Sequence, residues 1–152
     1  MSKEKFIKDL MFGNKGEEVV LNHILSMADN AALIDICNNG DYDLKVEING
    51  EIKTFEVKTE DKYCKAGNNT GNIFVETMCN GKPSGITRSI ADWYVFYMPF
   101  YKKLWYIKSD DLKLLIKENN FPLKENSGDG GLVVGYAVPR KKVEQFFKIY
   151  EI

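Results

Sequence analysis

Residues 41–60, DYDLKVEINGEIKTFEVKTE, contain the pattern that decides the fold. Asn49-Gly50 separates two segments in which apolar and polar residues alternate. This dipeptide favours a two-residue type I′ turn, because both turn positions need a positive φ. The stretch therefore predicts a β-hairpin in which facing residues have numbers with the same sum as Asn49 and Gly50. Leu44 then faces Phe55.

The same register places Asp43 opposite Glu56, in a non-hydrogen-bonded pair whose Cα atoms lie only about 4.5 Å apart. Alternation sends both carboxylates and Lys58 to the face away from the apolar residues. Like charges directly opposed destabilise a sheet, so this pair favours a cation between its members. A divalent ion such as Mg²⁺, held by carboxylates and a substrate phosphate, meets that need. The alternative is an ordinary polar face with one solvated repulsive pair.

Composition indicates a globular protein of one domain, residues 1–152. The chain is 44% hydrophobic and 12% aromatic, which excludes a disordered class. No segment approaches the roughly 20 apolar residues that span a bilayer, and the charged start MSKEKFIKDL lacks the core of a signal peptide. We therefore expect no membrane partner and a cytoplasmic location, or the host-cell cytoplasm if the protein is viral.

Cysteine and histidine content excludes several kinds of site. Cys37, Cys64 and Cys79 have no CxxC spacing, so we expect reduced thiols and neither a disulfide framework nor a zinc site. His23 is the only histidine. Catalysis by a histidine general base and histidine-rich metal sites are therefore excluded.

The formal net charge of -1 counts mildly against a tight nonspecific binder of nucleic acid, because such proteins are usually basic. Local basic positions remain, and four of them are predicted contacts to DNA: Lys62, Lys65, Lys82 and Arg88. For Arg88, we expect a phosphate contact close to the start of a short helix.

A first helix is predicted from about Gly16 to Met27. Its apolar stripe contains Val20 and Leu21, and Glu17 projects on the same inward side. Two interpretations of this buried acid remain open. It either closes a capping box at the helix start or supplies a third carboxylate to the polar face of the hairpin.

The remaining pattern predicts a mixed α/β fold, with one β-sheet flanked by helices. Strands are predicted at residues 31–37, 72–78, 93–100, 103–108 and 132–139. Helices are predicted at residues 110–119, with Ser109 as N-cap, and at 140–150. A short helix, or half of one, is predicted at residues 84–92 with Ser84 as its cap. The nearly continuous apolar run WYVFYMPF predicts a central strand covered on both faces.

Glu17, Asp43 and the run Glu56-Val57-Lys58 together resemble the PD-(D/E)XK nuclease superfamily. The order of elements is similar to archaeal-type Holliday junction resolvases and to small phage or prokaryotic endonucleases. The segments GNIFVE and SGITRSIADWYVFY add to the resemblance, which covers about residues 13–96. The proline of the family motif is absent here. The resemblance implies a restriction-endonuclease-like αβββαβ core.

The resemblance also implies a role for each site residue. Asp43, Glu56 and the carbonyl of Val57 would hold Mg²⁺, for which Mn²⁺ could substitute. Glu17 would bind or orient the hydration shell of the metal. Lys58 would orient the attacking water and stabilise charge on the scissile phosphate.

Two further residues have open assignments. Glu76 is either an auxiliary acid of the site or a partner of Lys58. Asp41 competes for the position of the motif aspartate, but the hairpin register favours Asp43 because it places Asp41 opposite Lys58.

The implied activity is that of a Mg²⁺-dependent endodeoxyribonuclease that hydrolyses phosphodiester bonds, with DNA, including branched DNA, as the substrate. A homodimer is an expectation from the resolvase-like members, with the half of the chain from Trp93 onward as a candidate interface. The alternative function is an inactive nuclease-fold module that binds nucleic acid or a protein partner. The near-neutral charge favours that module, whereas the joint presence of Asp43, Glu56 and Lys58 favours the enzyme.

Overall fold

The computed structural model describes residues 15–37, 39–60, 71–128 and 131–152. Two single 3₁₀ turns, Gly85–Thr87 and Glu144–Phe146, accompany the helices and strands. These elements are, in chain order, α1 (Lys15–Met27), β1 (Ala31–Ile36), β2 (Leu44–Ile48), β3 (Glu51–Thr59), β4 (Asn72–Cys79), β5 (Lys82–Pro83), β6 (Trp93–Met98), β7 (Lys103–Lys108), α2 (Ser109–Glu118), β8 (Leu123–Gly128), β9 (Gly131–Pro139), α3 (Arg140–Val143) and β10 (Lys148–Glu151).

The strands form two sheets. The main sheet has the order β1-β2-β3-β6-β7-β10, and the second sheet has the order β5-β4-β9-β8. Neighbouring strands are antiparallel, except that β3 and β6 run parallel. The protein is therefore mixed α/β, with a multi-strand sheet flanked by helices, and the predicted fold class is confirmed.

The predicted hairpin is present, with β2 and β3 as its strands. Asn49 and Gly50 both have positive φ, 50° and 85°, as a type I′ turn requires. The ladder runs from the Ile48–Glu51 pair to the Leu44–Phe55 pair. The turn residues thus determine the register over the whole of β2.

The main sheet is covered on both faces. On one face, the apolar stripe of α1 packs against apolar side chains of the sheet, and together they form one buried cluster. From α1 it contains Val20, Leu21, Ile24 and Leu25, and from the sheet Leu44, Val46, Phe55, Val57, Val95, Leu104 and Tyr106. On the other face β6 and β7 pack against the second sheet and α2 through a cluster that includes Ile73, Val75, Tyr94, Phe96, Trp105, Leu112 and Val138. The first six residues of the run WYVFYMPF form β6, which is central and covered on both sides, as predicted. Pro99 and Phe100 lie in the turn that follows and not in the strand.

The short helix predicted at residues 84–92 is reduced to a single 3₁₀ turn, Gly85–Thr87, and Ser84 is its N-cap, as predicted. Gly85 has a φ of 51°. A Cβ on Gly85 would lie 2.2 Å from the carbonyl oxygen of Glu76. The chain therefore passes directly over β4, and this close approach replaces helix formation.

The end of the chain also differs from the prediction. The expected helix at 140–150 is reduced to one turn, α3, and one 3₁₀ turn, and β10 then joins the edge of the main sheet beside β7. β8 pairs with β9, although its sequence LKENSG carries no strand pattern. In both places pairing with a neighbouring strand overrides local propensity.

Two other predictions need correction. The segment NIFVETM is a strand, β4, but it belongs to the second sheet instead of extending the hairpin's sheet. Ser109 is the first residue of α2 and not its N-cap, which is Lys108.

Among the described residues, no helix is long and apolar enough to cross a membrane. Cys64, Lys62 and Lys65 lie outside the described ranges.

Candidate carboxylate site

Glu17 lies in the first turn of α1 and is only 3% exposed. Helical spacing explains this burial, because Glu17 precedes the buried Val20 and Leu21 by three and four residues. The prediction that Glu17 faces inward is confirmed. Its charge acts on Asp43 and raises the pKa of that carboxyl, so α1 brings a third acid toward the hairpin.

Asp43 lies one residue beyond the ladder of the hairpin. Its N–H donates to the carbonyl of Phe55 at 2.9 Å, although Phe55 is already the partner of Leu44. Two residues of one strand thus oppose one residue of the other, as in a β-bulge. The predicted backbone pair of Asp43 with Glu56 is therefore wrong.

The bulge gives the Asp43 side chain a specific partner. Its Oδ2 accepts a hydrogen bond from the N–H of Val57 at 2.7 Å. A carboxylate therefore occupies the place where a regular ladder would offer a backbone carbonyl. This contact holds Asp43 against β3, beside the residues of the ExK run.

The electrostatic environment of Asp43 disfavours its charged form. Burial, followed by the charge of Glu56 and to a smaller extent that of Glu17, raises the pKa of Asp43 from 3.8 to about 7. The hydrogen bond from Val57 and the charge of Lys58 lower the pKa but do not offset these effects. The like-charge repulsion expected from the sequence is thus present, even though the backbone pairing differs.

Glu56 is 5% exposed and forms an ion pair with Lys58, in which Nζ lies 2.9 Å from Oε1. Burial by itself would lower the pKa of Lys58. The charge and hydrogen bond of Glu56, together with the charges of Asp43 and Glu76, outweigh burial and raise that pKa. Lys58 is therefore a cation held by several acids, with a side chain that is still 34% exposed.

Glu76 is partly buried on β4, in the second sheet. Its charge contributes to the raised pKa of Lys58 and of Tyr94. The ion pair of Lys58 is nevertheless made with Glu56. The second sheet thus brings a further acid near the site, and the auxiliary role of Glu76 stays a prediction.

Ser89 and Tyr94 lie beside Glu56, although the sequence placed them only in the predicted short helix at 84–92 and in the apolar run WYVFYMPF. Ser89 is buried, and its Oγ donates to the carbonyl of Asp41 at 3.0 Å and lies 3.4 Å from Oε2 of Glu56. Tyr94 is 2% exposed and is the register partner of Glu56 on the parallel strand β6. No sequence signal identifies either residue, because the pairing of β3 with β6 joins distant segments.

The predicted partner of Asp41 is wrong. Its Oδ1 lies 2.7 Å from Nη1 of Arg88, not beside Lys58. Arg88 also donates to the carbonyl of Asn39 at 2.8 Å. These contacts connect residues 39–41, which precede β2, to Arg88, which follows the 3₁₀ turn. Lys82 lies on β5 and is exposed, and the DNA contacts of Arg88 and Lys82 stay predictions.

The carboxylate oxygens of the site supply some, but not all, of the ligands that a hard divalent cation needs. Within the described ranges, no three His, Cys, Asp or Glu side chains come close enough to hold a metal ion by themselves. Asp43 and Glu56 nevertheless supply two carboxylates, and Mg²⁺ commonly takes one or two carboxylates and completes its shell with water and phosphate. A cation would also relieve the repulsion that raises the pKa of Asp43.

A cavity of about 630 Å³ lies elsewhere, near the hairpin turn. Trp93, Tyr106 and Lys148 contribute to its lining, but none of the four predicted catalytic residues does. His23 lies beside it and accepts or donates a hydrogen bond of 2.8 Å with the hydroxyl of Tyr106. The carboxylates therefore lie outside this cavity.

Comparisons with known proteins were made for sequence and for structure. No protein-family model and no curated protein matches the sequence. Among solved structures, the chain is similar to a bacterial homing endonuclease, I-Ssp6803I, with 17% sequence identity and a TM-score of 0.48. The alignment covers 72% of this chain and 71% of that one.

Proposed function

We propose that this chain is a metal-dependent endonuclease that hydrolyses phosphodiester bonds in DNA. The observation that carries the proposal is the set of three acids, Glu17, Asp43 and Glu56, gathered with one partly exposed lysine, Lys58. Burial, and then the charges of Glu56 and Glu17, raise the pKa of Asp43 to about 7. A buried carboxyl with a strongly perturbed pKa and specific charged neighbours is typical of a functional site.

Asp43 and Glu56 are the residues that would hold Mg²⁺ or Mn²⁺, with the carbonyl of Val57 as a third ligand. When bound, the ion polarises the phosphate and lowers the pKa of its water. Glu17 lies in the first turn of α1 and would accept hydrogen bonds from that hydration shell. The main-chain contact from Val57 to Asp43 orients the aspartate before any ligand arrives.

Lys58 supplies positive charge for the oxygens of the scissile phosphate, where charge develops during hydrolysis. Its raised pKa keeps it protonated at neutral pH. The ion pair with Glu56 holds Lys58 close to the acids, and its side chain is 34% exposed.

As the specific substrate we propose branched DNA, such as a Holliday junction. The reason is the resemblance of the order of elements and of the ExK run to Holliday junction resolvases. Cutting two strands of a junction requires two sites, so a homodimer belongs to this version of the proposal. Plain duplex DNA requires no such pairing. The two substrates are distinguished directly in the experiment below.

The test is cleavage of supercoiled plasmid and of a four-way junction in Mg²⁺, Mn²⁺, Ca²⁺ or EDTA. Lys58→Ala is the test variant. Lys53→Ala is its matched control, because Lys53 lies on the same strand, pairs with Glu51 at 3.3 Å and is outside the acid cluster. We expect cutting in Mg²⁺ or Mn²⁺ that EDTA and Lys58→Ala abolish and that Lys53→Ala preserves.

Two other results would change the assignment. Faster cutting of the plasmid than of the junction would favour a general endonuclease over a resolvase-like one. Absence of cutting of either DNA, with no stabilisation by any of the metals, would contradict the enzyme and favour a module that binds nucleic acid or protein.

A further inference from the structure

The hydroxyl of Tyr94 is a buried polar group without a hydrogen-bond partner in the described part of the chain. Three other side chains share this property there, namely Ser84, Trp105 and Ser109. Tyr94 differs from them because it is the register partner of Glu56 on the adjacent parallel strand. Residues in register on neighbouring strands project from the same face, so the phenol lies beside the carboxylate site.

A buried hydroxyl without a partner is costly, since it loses its hydrogen bonds to water and gains none from the protein. Such groups are rare in native proteins, and each one needs a physical reason such as a catalytic role or a bound water or ion. Replacement by phenylalanine would remove that cost. Core packing therefore explains the ring of Tyr94 but not its hydroxyl.

Burial, and then the charges of Glu56, Asp43 and Glu76, raise the pKa of Tyr94 above its usual value, so the phenol is protonated and able to donate at neutral pH. The Ser89 hydroxyl acts on this pKa in the opposite direction. Ser89 Oγ donates to the carbonyl of Asp41 and accepts from the N–H of Ala91, and its contact with the Tyr94 hydroxyl does not reach hydrogen-bond geometry.

Among the described residues, Glu56 has one close partner. Its Oε1 contacts Lys58 at 2.9 Å, whereas its Oε2 lies 3.4 Å from Oγ of Ser89. When an anionic phosphate attracts Lys58, Glu56 loses this ion pair while it is 5% exposed. One carboxylate oxygen would then contact the metal ion, and the other buried oxygen is unfavourable without a donor, so this state favours a further donor close to Glu56.

We propose that Tyr94 is a positioning residue of this site, whose hydroxyl donates a hydrogen bond to the Glu56 carboxylate when Lys58 turns from Glu56 to the substrate phosphate. This inference rests on the proposed function, since it assigns a second donor to the same carboxylate. Tyr94 keeps Glu56 oriented toward the metal position while Lys58 is engaged elsewhere. It does not itself touch the substrate, because it is 2% exposed.

The test compares two tyrosine-to-phenylalanine variants. Tyr94→Phe removes the partnerless hydroxyl. Tyr106→Phe is the matched control, because Tyr106 is equally buried, at 5% exposure, but its hydroxyl has a partner, His23, at 2.8 Å. Tyr106 also packs on the opposite face of the main sheet, against α1. Stability, the rate of DNA cutting and stabilisation by Ca²⁺ are measured for both variants and the wild type.

We expect the two variants to behave in opposite ways. Tyr94→Phe should keep or raise the melting temperature, lower kcat by roughly 10- to 100-fold with little change in KM, and reduce the Ca²⁺-dependent rise in melting temperature. Tyr106→Phe should lower the melting temperature and leave kcat unchanged. A purely structural Tyr94 would show the pattern of Tyr106 or no effect at all.

The inference and the proposed function can fail separately. Normal cutting and a normal Ca²⁺ response in Tyr94→Phe would overturn the inference while the nuclease stands. If the wild type cuts no DNA but is stabilised by Ca²⁺, the proposed function fails, and a reduced Ca²⁺ response in Tyr94→Phe would still support the positioning role. A wild type that neither cuts DNA nor responds to Ca²⁺ would overturn both.

Discussion

Asp43→Asn should stabilise the metal-free protein at pH 8. The folded protein raises the pKa of Asp43 from 3.8 to about 7, mainly through burial and the charge of Glu56. The unfolded chain therefore releases this proton more readily than the folded chain does. The contribution of the Asp43 carboxyl to the free energy of unfolding is therefore fully present below about pH 4, and it is lost as the pH rises through about 7.

The size of the effect follows from the same values. Each pKa difference of one corresponds to about 1.4 kcal/mol, so ionised Asp43 costs the folded state about 4 kcal/mol at pH 8 and about 2 kcal/mol at pH 5. Asparagine removes the charge, and its Oδ1 still accepts the hydrogen bond from Val57. We expect Asp43→Asn to raise the free energy of unfolding by about 2 to 4 kcal/mol at pH 8.

The assay is urea unfolding in EDTA at pH 5 and pH 8, followed by circular dichroism. The advantage of Asp43→Asn should shrink by about 2 to 3 kcal/mol between pH 8 and pH 5. Asp41→Asn is the control, because Asp41 forms a partly exposed ion pair with Arg88 at 2.7 Å. The control should lose at most about 1 kcal/mol at both pH values.

The result that would refute this reasoning is a loss of stability in Asp43→Asn at pH 8, with the control behaving as stated. Asp43 would then be an ionised structural partner, and the site would be misplaced. Addition of Mg²⁺ extends the test, since it should stabilise the wild type and have no effect on Asp43→Asn.

Three further predictions concern the frame of the site and its DNA contacts. Gly85→Ala should lower stability by about 2 to 4 kcal/mol, because its Cβ would lie 2.2 Å from the Glu76 carbonyl at a positive φ; an unchanged melting temperature would contradict the close approach. Lys82→Ala should reduce the slope of log Kobs for DNA against log[salt] by about one with no change in stability, and an unchanged slope would exclude this contact. Insertion of one glycine between Asn49 and Gly50 should move side chains of the hairpin to the wrong face, with loss of both folding and DNA cutting; a folded, active insertion variant would disprove the register.

Much of the fold was predictable from local patterns. Asn49-Gly50 determines the turn and register of the hairpin, because positive φ at two successive positions excludes most other residues. The apolar period of α1 likewise buries Glu17, since helical spacing alone places it on the inward side. The class of the fold and the four charged residues of the site follow from these two elements.

Local patterns failed where the chain makes long-range contacts. Residues 84–92 have a plausible helical pattern, but the approach of Gly85 to β4 leaves room for a single 3₁₀ turn only. The final segment forms β10 because β7 offers an unpaired edge. Both segments make their backbone contacts with strands that are distant in the sequence. Their own residues therefore do not predict these contacts.

The order of residues alone shows that Asp43, Glu56 and Lys58 approach one another along the hairpin, because they lie within one short segment joined by a turn. The contacts that hold their side chains in place depend on the tertiary structure. The bulge turns Asp43 toward Val57, and the parallel pairing of β3 with β6 brings Tyr94 beside Glu56. The physical reason is that a turn specifies its own flanking pairs, whereas burial and electrostatic environment depend on segments that meet only when the whole chain packs.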